Sequence, residues 1–161
     1  MPIPKAPPSE VRAALDHPVI DSDGHLREFM PVALEYVAKV GGKNIAARLA
    51  AEENRMPRNQ KWYGMTEAER RDARAICPAF WGTPLRTRGL DHATALFPDL
   101  MYQRLDELGL DFAVLYPSRG VGGQGLDDAE VRRAWCRGLN EYYADVWGGY
   151  ADRMTPVATI P

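Results

Sequence analysis

The alternation of hydrophobic and polar positions changes period several times along this 161-residue chain, and each change marks an element. Pro18, Val19 and Ile20 open an apolar run that passes directly into Asp21-Ser22-Asp23-Gly24-His25, which predicts a first strand over His17–Asp23. Met30 to Val40 reads as a helix, with Pro31 early, where its missing N–H costs nothing, and Gly41-Gly42 as its stop. Lys43 to Glu53 reads as a second, alanine-rich helix. Thr66 and Glu69 fit a capping box that opens the charged stretch TEAERRDARAIC. From Pro98 to Gly109, Met101, Leu105 and Leu108 fall at helical spacing, and Gly109 ends the stripe.

Asp111 to Tyr116 is nearly continuous in its apolarity, the pattern of a strand buried on both faces. Asp127 and Glu130 signal a further helix start, and Val131, Trp135, Leu139, Tyr142 and Val146 line one side of it to about Tyr150. Gly138 within that helix points to close approach by a neighbour. Met154 to Ile160 reads as a third strand. Strand, helix, strand at this spacing is a βαβ unit, so the class is α/β with a parallel sheet.

The regions between these elements carry less pattern. Residues 1–16 form an N-terminal arm, proline-rich at its start, with Ser9 placed to cap a short helix over Glu10 to Leu15. Residues 29–98, roughly, are a long excursion between strands one and two, and an excursion of that length is usually a lid or binding loop, or else disordered. Within it Phe80, Trp81, Arg86 and Arg88 combine aromatic and guanidinium groups, which suits a planar, anionic small molecule. Packing of the loop, or contact with a partner subunit, explains them equally well. His92 follows Asp91 as a helix-start residue rather than a ligand, and His17 has no assigned role. The loop from Pro117 to Gly125 is glycine-rich, but its glycines do not follow G-x-G-x-x-G, so a dinucleotide is not indicated.

Composition narrows the classes. At 45% hydrophobic and 26% charged, with a net charge of −2, the chain reads as one globular domain with its own core. Its arginines are scattered among acids, giving no electrostatic case for nucleic acid or an anionic membrane. No segment approaches the ~18 apolar residues of a membrane span, and the first ten residues lack an apolar signal core. Cys77 and Cys136 are far apart and belong to no metal-type cluster, so they read as two buried thiols in a reducing cytoplasm.

The candidate chemistry lies in the first strand. Asp21, Asp23 and His25 fall at alternate positions, and alternate side chains of a strand share a face. Ionisable groups on an apolar strand are costly unless compensated, and a divalent cation would compensate them. His and carboxylate donors suit Zn²⁺ or Mn²⁺. A calcium loop of the EF-hand type fails, because Gly24 at its sixth position leaves Val19 and Met30 where acids belong. The other reading of DSDGH is a polar turn after a strand that ends near Ile20.

Three blocks, VIDSDGHLRE, RLDELGLDFAVLYPS and RAWCRGLNEYYADVWGGYADRMTPVATIP, together resemble the N-terminal part of amidohydrolase-related enzymes. The branch they resemble is that of aminocarboxymuconate-semialdehyde decarboxylase and γ-resorcylate decarboxylase, over residues 17–161. The resemblance implies a metal-dependent (β/α)₈ barrel, of which this chain would supply the first three strands with a long helical insertion. It implies that Asp23 and His25 are metal ligands, in place of the family's H-x-H pair, and that Glu28 gives hydrogen-bonding support. Ser118, at the C-terminal end of strand two, becomes a candidate for the pocket rim, where barrel enzymes place their sites, and an ordinary turn serine explains it equally well. Trp81, Arg86 and Arg88 become candidates for substrate binding.

The resemblance further implies hydrolysis or non-oxidative decarboxylation of a small organic acid, aromatic or unsaturated. The complete enzyme is expected to be a homo-oligomer, with its remaining ligands and catalytic groups beyond residue 161. A complete barrel needs about 250 residues, so the chain is expected to be the N-terminal portion of a longer enzyme, inactive alone. The rival expectation is a truncated, non-catalytic relative that acts as an interaction module.

Overall fold

The chain is described by a computed structural model over residues 6–53, 64–72 and 89–161. Trp81, Arg86, Arg88 and Cys77 lie outside the described residues. Three strands, β1 (Ile20–Leu26), β2 (Phe112–Pro117) and β3 (Met154–Pro156), form a parallel sheet in the order β1-β2-β3. Chain order and sheet order coincide, each strand adding beside its predecessor. The described crossover elements after β1 are α2 (Met30–Glu53), α3 (Glu67–Asp72), α4 (Gly89–Leu96) and α5 (Pro98–Leu108). A 3₁₀ turn (Gly120–Gly125) and α6 (Ala129–Trp147) connect β2 to β3, and α1 (Pro8–Ala13) precedes the sheet.

The core lies on one face of the sheet. Leu26, Ala113, Leu115 and Met154 are buried against Met101 and Leu105 of α5 and Leu139 and Tyr142 of α6. The α6 stripe behaves as its spacing predicts: Val131, Trp135, Leu139 and Tyr142 are buried. Helix α2 crosses α6 closely at Gly138, where an added Cβ would stand 2.6 Å from Val37 Cα. The predicted stop at Gly41-Gly42 is a kink: Gly42, at φ 76° and ψ 176°, breaks α2 into two helical segments. Gly109, at φ 72°, closes α5 as predicted. The capping box also forms, Thr66 N donating to Glu69 Oε2 at 2.7 Å and Glu69 N to Thr66 Oγ1 at 3.3 Å.

Several expectations are corrected. Strand β2 is buried on one face only, because the described helices cover one side; on the other, Phe112 and Val114 are half-buried and Tyr116 is 39% exposed. Strand β1 runs three residues later than predicted, and β3 ends at Pro156. The chain beyond β3 is instead held by α6, where Asn140 Nδ2 donates to Thr159 O at 2.9 Å and Thr159 N to Asn140 Oδ1 at 2.8 Å. The α6 cap is Asp128, not Asp127: its Oδ1 accepts from Glu130 N at 3.0 Å and Val131 N at 3.2 Å. Ser9 does not cap α1, which starts with Pro8 in the first turn, where proline's fixed φ is already helical. That helix is docked through Arg12, which forms a two-pronged ion pair with Asp111 at the start of β2.

Candidate functional site

The acidic strand does not alternate as predicted. Its register with β2 runs Ile20↔Phe112 and Asp21↔Ala113, then Gly24↔Leu115 and His25↔Tyr116, so β1 carries one extra residue between Asp21 and Gly24. This is a β-bulge, which re-aims the side chains that follow it. Asp21 Oδ1 accepts from Asp23 N at 3.0 Å and closes the bulge locally. Gly24 is required there, because a Cβ would stand 2.9 Å from Val114 O.

The consequence corrects the expectation of three ionisable groups on one face. By register Asp21 falls on the face of Ala113, against the described helices, and His25 on the face of Tyr116, although both residues also border the cavity between the sheet, α4 and α5. His25 is half-buried, its ring 6.1 Å from that of Tyr116 at a 44° tilt. Asp23 lies in the bulge and is exposed; among the described residues its carboxylate makes no hydrogen bond or ion pair. Carboxylate and imidazole two residues apart are donors of the type Zn²⁺ or Mn²⁺ takes, and they amount to part of a coordination shell. No group of three or more His, Cys, Asp or Glu able to hold a metal occurs among the described residues.

At the same end of the sheet, Glu28 is fully buried, with no exposed surface. A carboxylate taken out of water must be matched by donors, and three reach it. Gly120 N and Tyr143 Oη donate to Oε1, each at 2.7 Å, and Arg119 N donates to Oε2 at 2.9 Å. Burial, and then the charge of Glu28, push the Tyr143 phenol far above its ordinary range, so it remains a donor. Trp135 Nε1 donates to Gly120 O at 3.1 Å, fixing the same peptide from its other side. Ser118 Oγ donates to Leu26 O at 2.5 Å, so this predicted rim residue also ties β2 to the end of β1.

A second tie runs to α4. Arg27 is only 4% exposed; its N–H donates to Ala95 O at 2.7 Å, and its guanidinium lies 2.6 Å from His92 Nε2. Arginine can only donate, so Nε2 is the accepting nitrogen. His92 thus stands in the first half of α4, as its sequence context suggests, and joins that helix to β1. Behind β1 a cavity of about 270 Å³ lies between the sheet and α4 and α5, lined among others by Asp21, His25, Met101, Leu105, Ala113, Leu115 and Arg104. Arg104 is engaged by Asp91, Thr94 and both oxygens of Glu107, which leaves the cavity lining mainly apolar.

The structure therefore brings His25, Tyr116, Ser118 and Glu28 to one end of the sheet, with Asp23 in the adjoining bulge. Tyr143 and the Arg119 and Gly120 amides were not singled out from sequence: a tyrosine on an apolar helix stripe and two backbone groups carry no motif. In comparisons with protein families, with curated proteins and with solved structures, nothing matches this chain.

Proposed function

We propose that this chain carries the metal-bearing first strand of an amidohydrolase-type enzyme. In this reading the enzyme hydrolyses or decarboxylates a small aromatic or unsaturated organic acid. The observation that carries the proposal is the register of His25 with Tyr116, on the sheet face opposite Ala113 and Leu115 and near the strands' C-terminal ends. Consecutive parallel strands, helices on one face and polar groups at the C-terminal ends are what a (β/α)₈ barrel requires of its opening segment. The three-block resemblance supports the same reading.

Asp23 and His25 would hold the ion, with further ligands supplied from outside the described residues. When bound, a divalent ion supplies Lewis acidity, which serves either reaction. The chain's own residues supply placement. The bulge presents Asp23 to solvent, Tyr116 packs beside His25, and Ser118 fixes the end of β2 to the end of β1. Glu28 is not a proton-transfer group in this scheme, since its carboxylate is enclosed and its donors lie on the loop and α6. Trp81 and the guanidinium groups of Arg86 and Arg88 would contact the acid.

The test is turnover of aromatic and unsaturated carboxylic acids by the product of the native gene, read as CO₂ release and as hydrolysis. Activity that is lost in both Asp23→Ala and His25→Ala supports the proposal; activity retained in either rejects it.

The second reading, an interaction module, is favoured by one observation: Ile20 is 57% exposed and Tyr116 39% exposed on a sheet whose outer edges, β1 and β3, are unpaired among the described residues. It predicts association that Ile20→Lys disrupts and His25→Ala leaves unchanged, measured by sedimentation.

A further inference from the structure

We infer that Glu28 is a positioning residue: an internal anion that locks the loop after β2 onto the end of β1 and so sets the rim beside His25. Three features carry this. The carboxylate is wholly enclosed, and its two oxygens are shared between consecutive loop amides, Arg119 N at 2.9 Å and Gly120 N at 2.7 Å. The third donor, Tyr143 Oη at 2.7 Å, comes from α6 and fixes the carboxylate's rotation. The fit is also closed sterically, since a Cβ on Gly120 would stand 2.5 Å from Tyr143 Oη and 3.1 Å from Glu28 Oε1.

This geometry is specific for an ionised acceptor. Two amide N–H groups and a phenol O–H all donate, so a neutral amide at position 28 would turn its own N–H₂ towards a donor. Glu28→Gln therefore loses at least one bond and introduces a donor–donor contact, while changing volume very little. Ser118 Oγ to Leu26 O joins the same two segments one step further out, but through a neutral hydroxyl. The inference rests on the metal reading only in its consequence for His25; the lock itself does not.

The experiment has two readouts on the product of the native gene. Amide hydrogen exchange at Arg119 and Gly120 is compared between the parent, Glu28→Gln, Tyr143→Phe and His25→Ala. Glu28→Gln is expected to speed both amides by about tenfold or more beyond any change in α5, since each is a charge-assisted bond. His25→Ala is expected to leave them unchanged. Exchange at Arg119 and Gly120 that stays at the parent rate in Glu28→Gln overturns the lock. Should Glu28→Gln fail to fold, Tyr143→Phe decides in the same way: faster exchange at these two amides supports the lock, and an unchanged rate overturns it.

The second readout is Zn²⁺ affinity, measured by competition with a fluorescent chelator. A group hydrogen-bonded directly to a metal ligand typically costs about 10–100-fold in affinity when lost; Glu28 acts one step further out, through the loop, so Glu28→Gln is expected to weaken Zn²⁺ binding by less than that with Asp23 and His25 intact. A loosened loop with unchanged Zn²⁺ affinity overturns the positioning role. A parent that binds no Zn²⁺ overturns the positioning role and the metal reading together, while the exchange result still decides the lock.

Discussion

Replacing Gly120 with alanine puts the packing around Glu28 to a quantitative test. The new methyl would lie 2.5 Å from Tyr143 Oη, 2.8 Å from Pro117 Cβ and 3.1 Å from Glu28 Oε1. None of these neighbours can simply turn aside: Tyr143 is 3% exposed within the core, and Oε1 is held by two donors. Overpacking of this kind costs about 1–3 kcal/mol. Displacing Tyr143 also weakens a hydrogen bond to a charged group, worth about 1.5–3 kcal/mol when lost outright. Gly120→Ala is therefore expected to destabilise the fold by about 2–4 kcal/mol in urea unfolding.

Tyr143→Phe alone should cost about 1.5–3 kcal/mol through the lost bond to Glu28. In that background the shortest contact is gone, although Pro117 Cβ remains at 2.8 Å. The double mutant should then be more stable than the sum of the singles by about 1 kcal/mol, a coupling expected of residues in direct contact. The reasoning is refuted if the two costs add to within about 0.5 kcal/mol. It is equally refuted if Gly120→Ala alone unfolds within about 0.5 kcal/mol of the parent.

Further expectations follow from the periphery of the sheet. The hydrogen bond from Arg12, and then that from Val19 N, hold the Asp111 carboxyl below its ordinary range. A depressed folded value gives stability that is complete above the unfolded pKa of about 3.9 and disappears as pH falls through the lower folded value. Asp111→Asn should therefore flatten the acid limb of the Tm profile below about pH 4 and leave its slope near neutrality unchanged; a parallel acid limb in parent and variant would contradict this. Asn140→Ala removes the side chain that both donates to and accepts from the Thr159 backbone. It should cost about 1–3 kcal/mol and speed amide hydrogen exchange at Thr159, and exchange there at the parent rate would argue against it.

Much of the fold was legible because it depends on short-range signals. Gly109 at a left-handed cap, Gly42 at a kink, the Thr66–Glu69 box and the α6 stripe each act within a few residues. What failed depended on partners distant in sequence. The apolar run of β2 looked doubly buried, yet burial is set by what packs on each face, and the described helices pack on one. The alternation of Asp21, Asp23 and His25 looked decisive, but one inserted residue in a β-bulge reverses the face of everything beyond it. Asp21 thereby becomes a structural acceptor for Asp23 N, leaving Asp23 and His25 as the candidate donors. The Glu28 lock joins position 28 to positions 119, 120 and 143, and no local pattern announces such a contact.

The most direct test of the central claim is the Zn²⁺ stoichiometry of the purified product of the native gene by equilibrium dialysis, with His25→Ala and Asp21→Ala measured alongside. The account predicts one bound ion in the parent, loss of it in His25→Ala, and retention in Asp21→Ala, because Asp21 faces the helix-covered side. Equal binding by the parent and His25→Ala, or no binding by the parent, would contradict it.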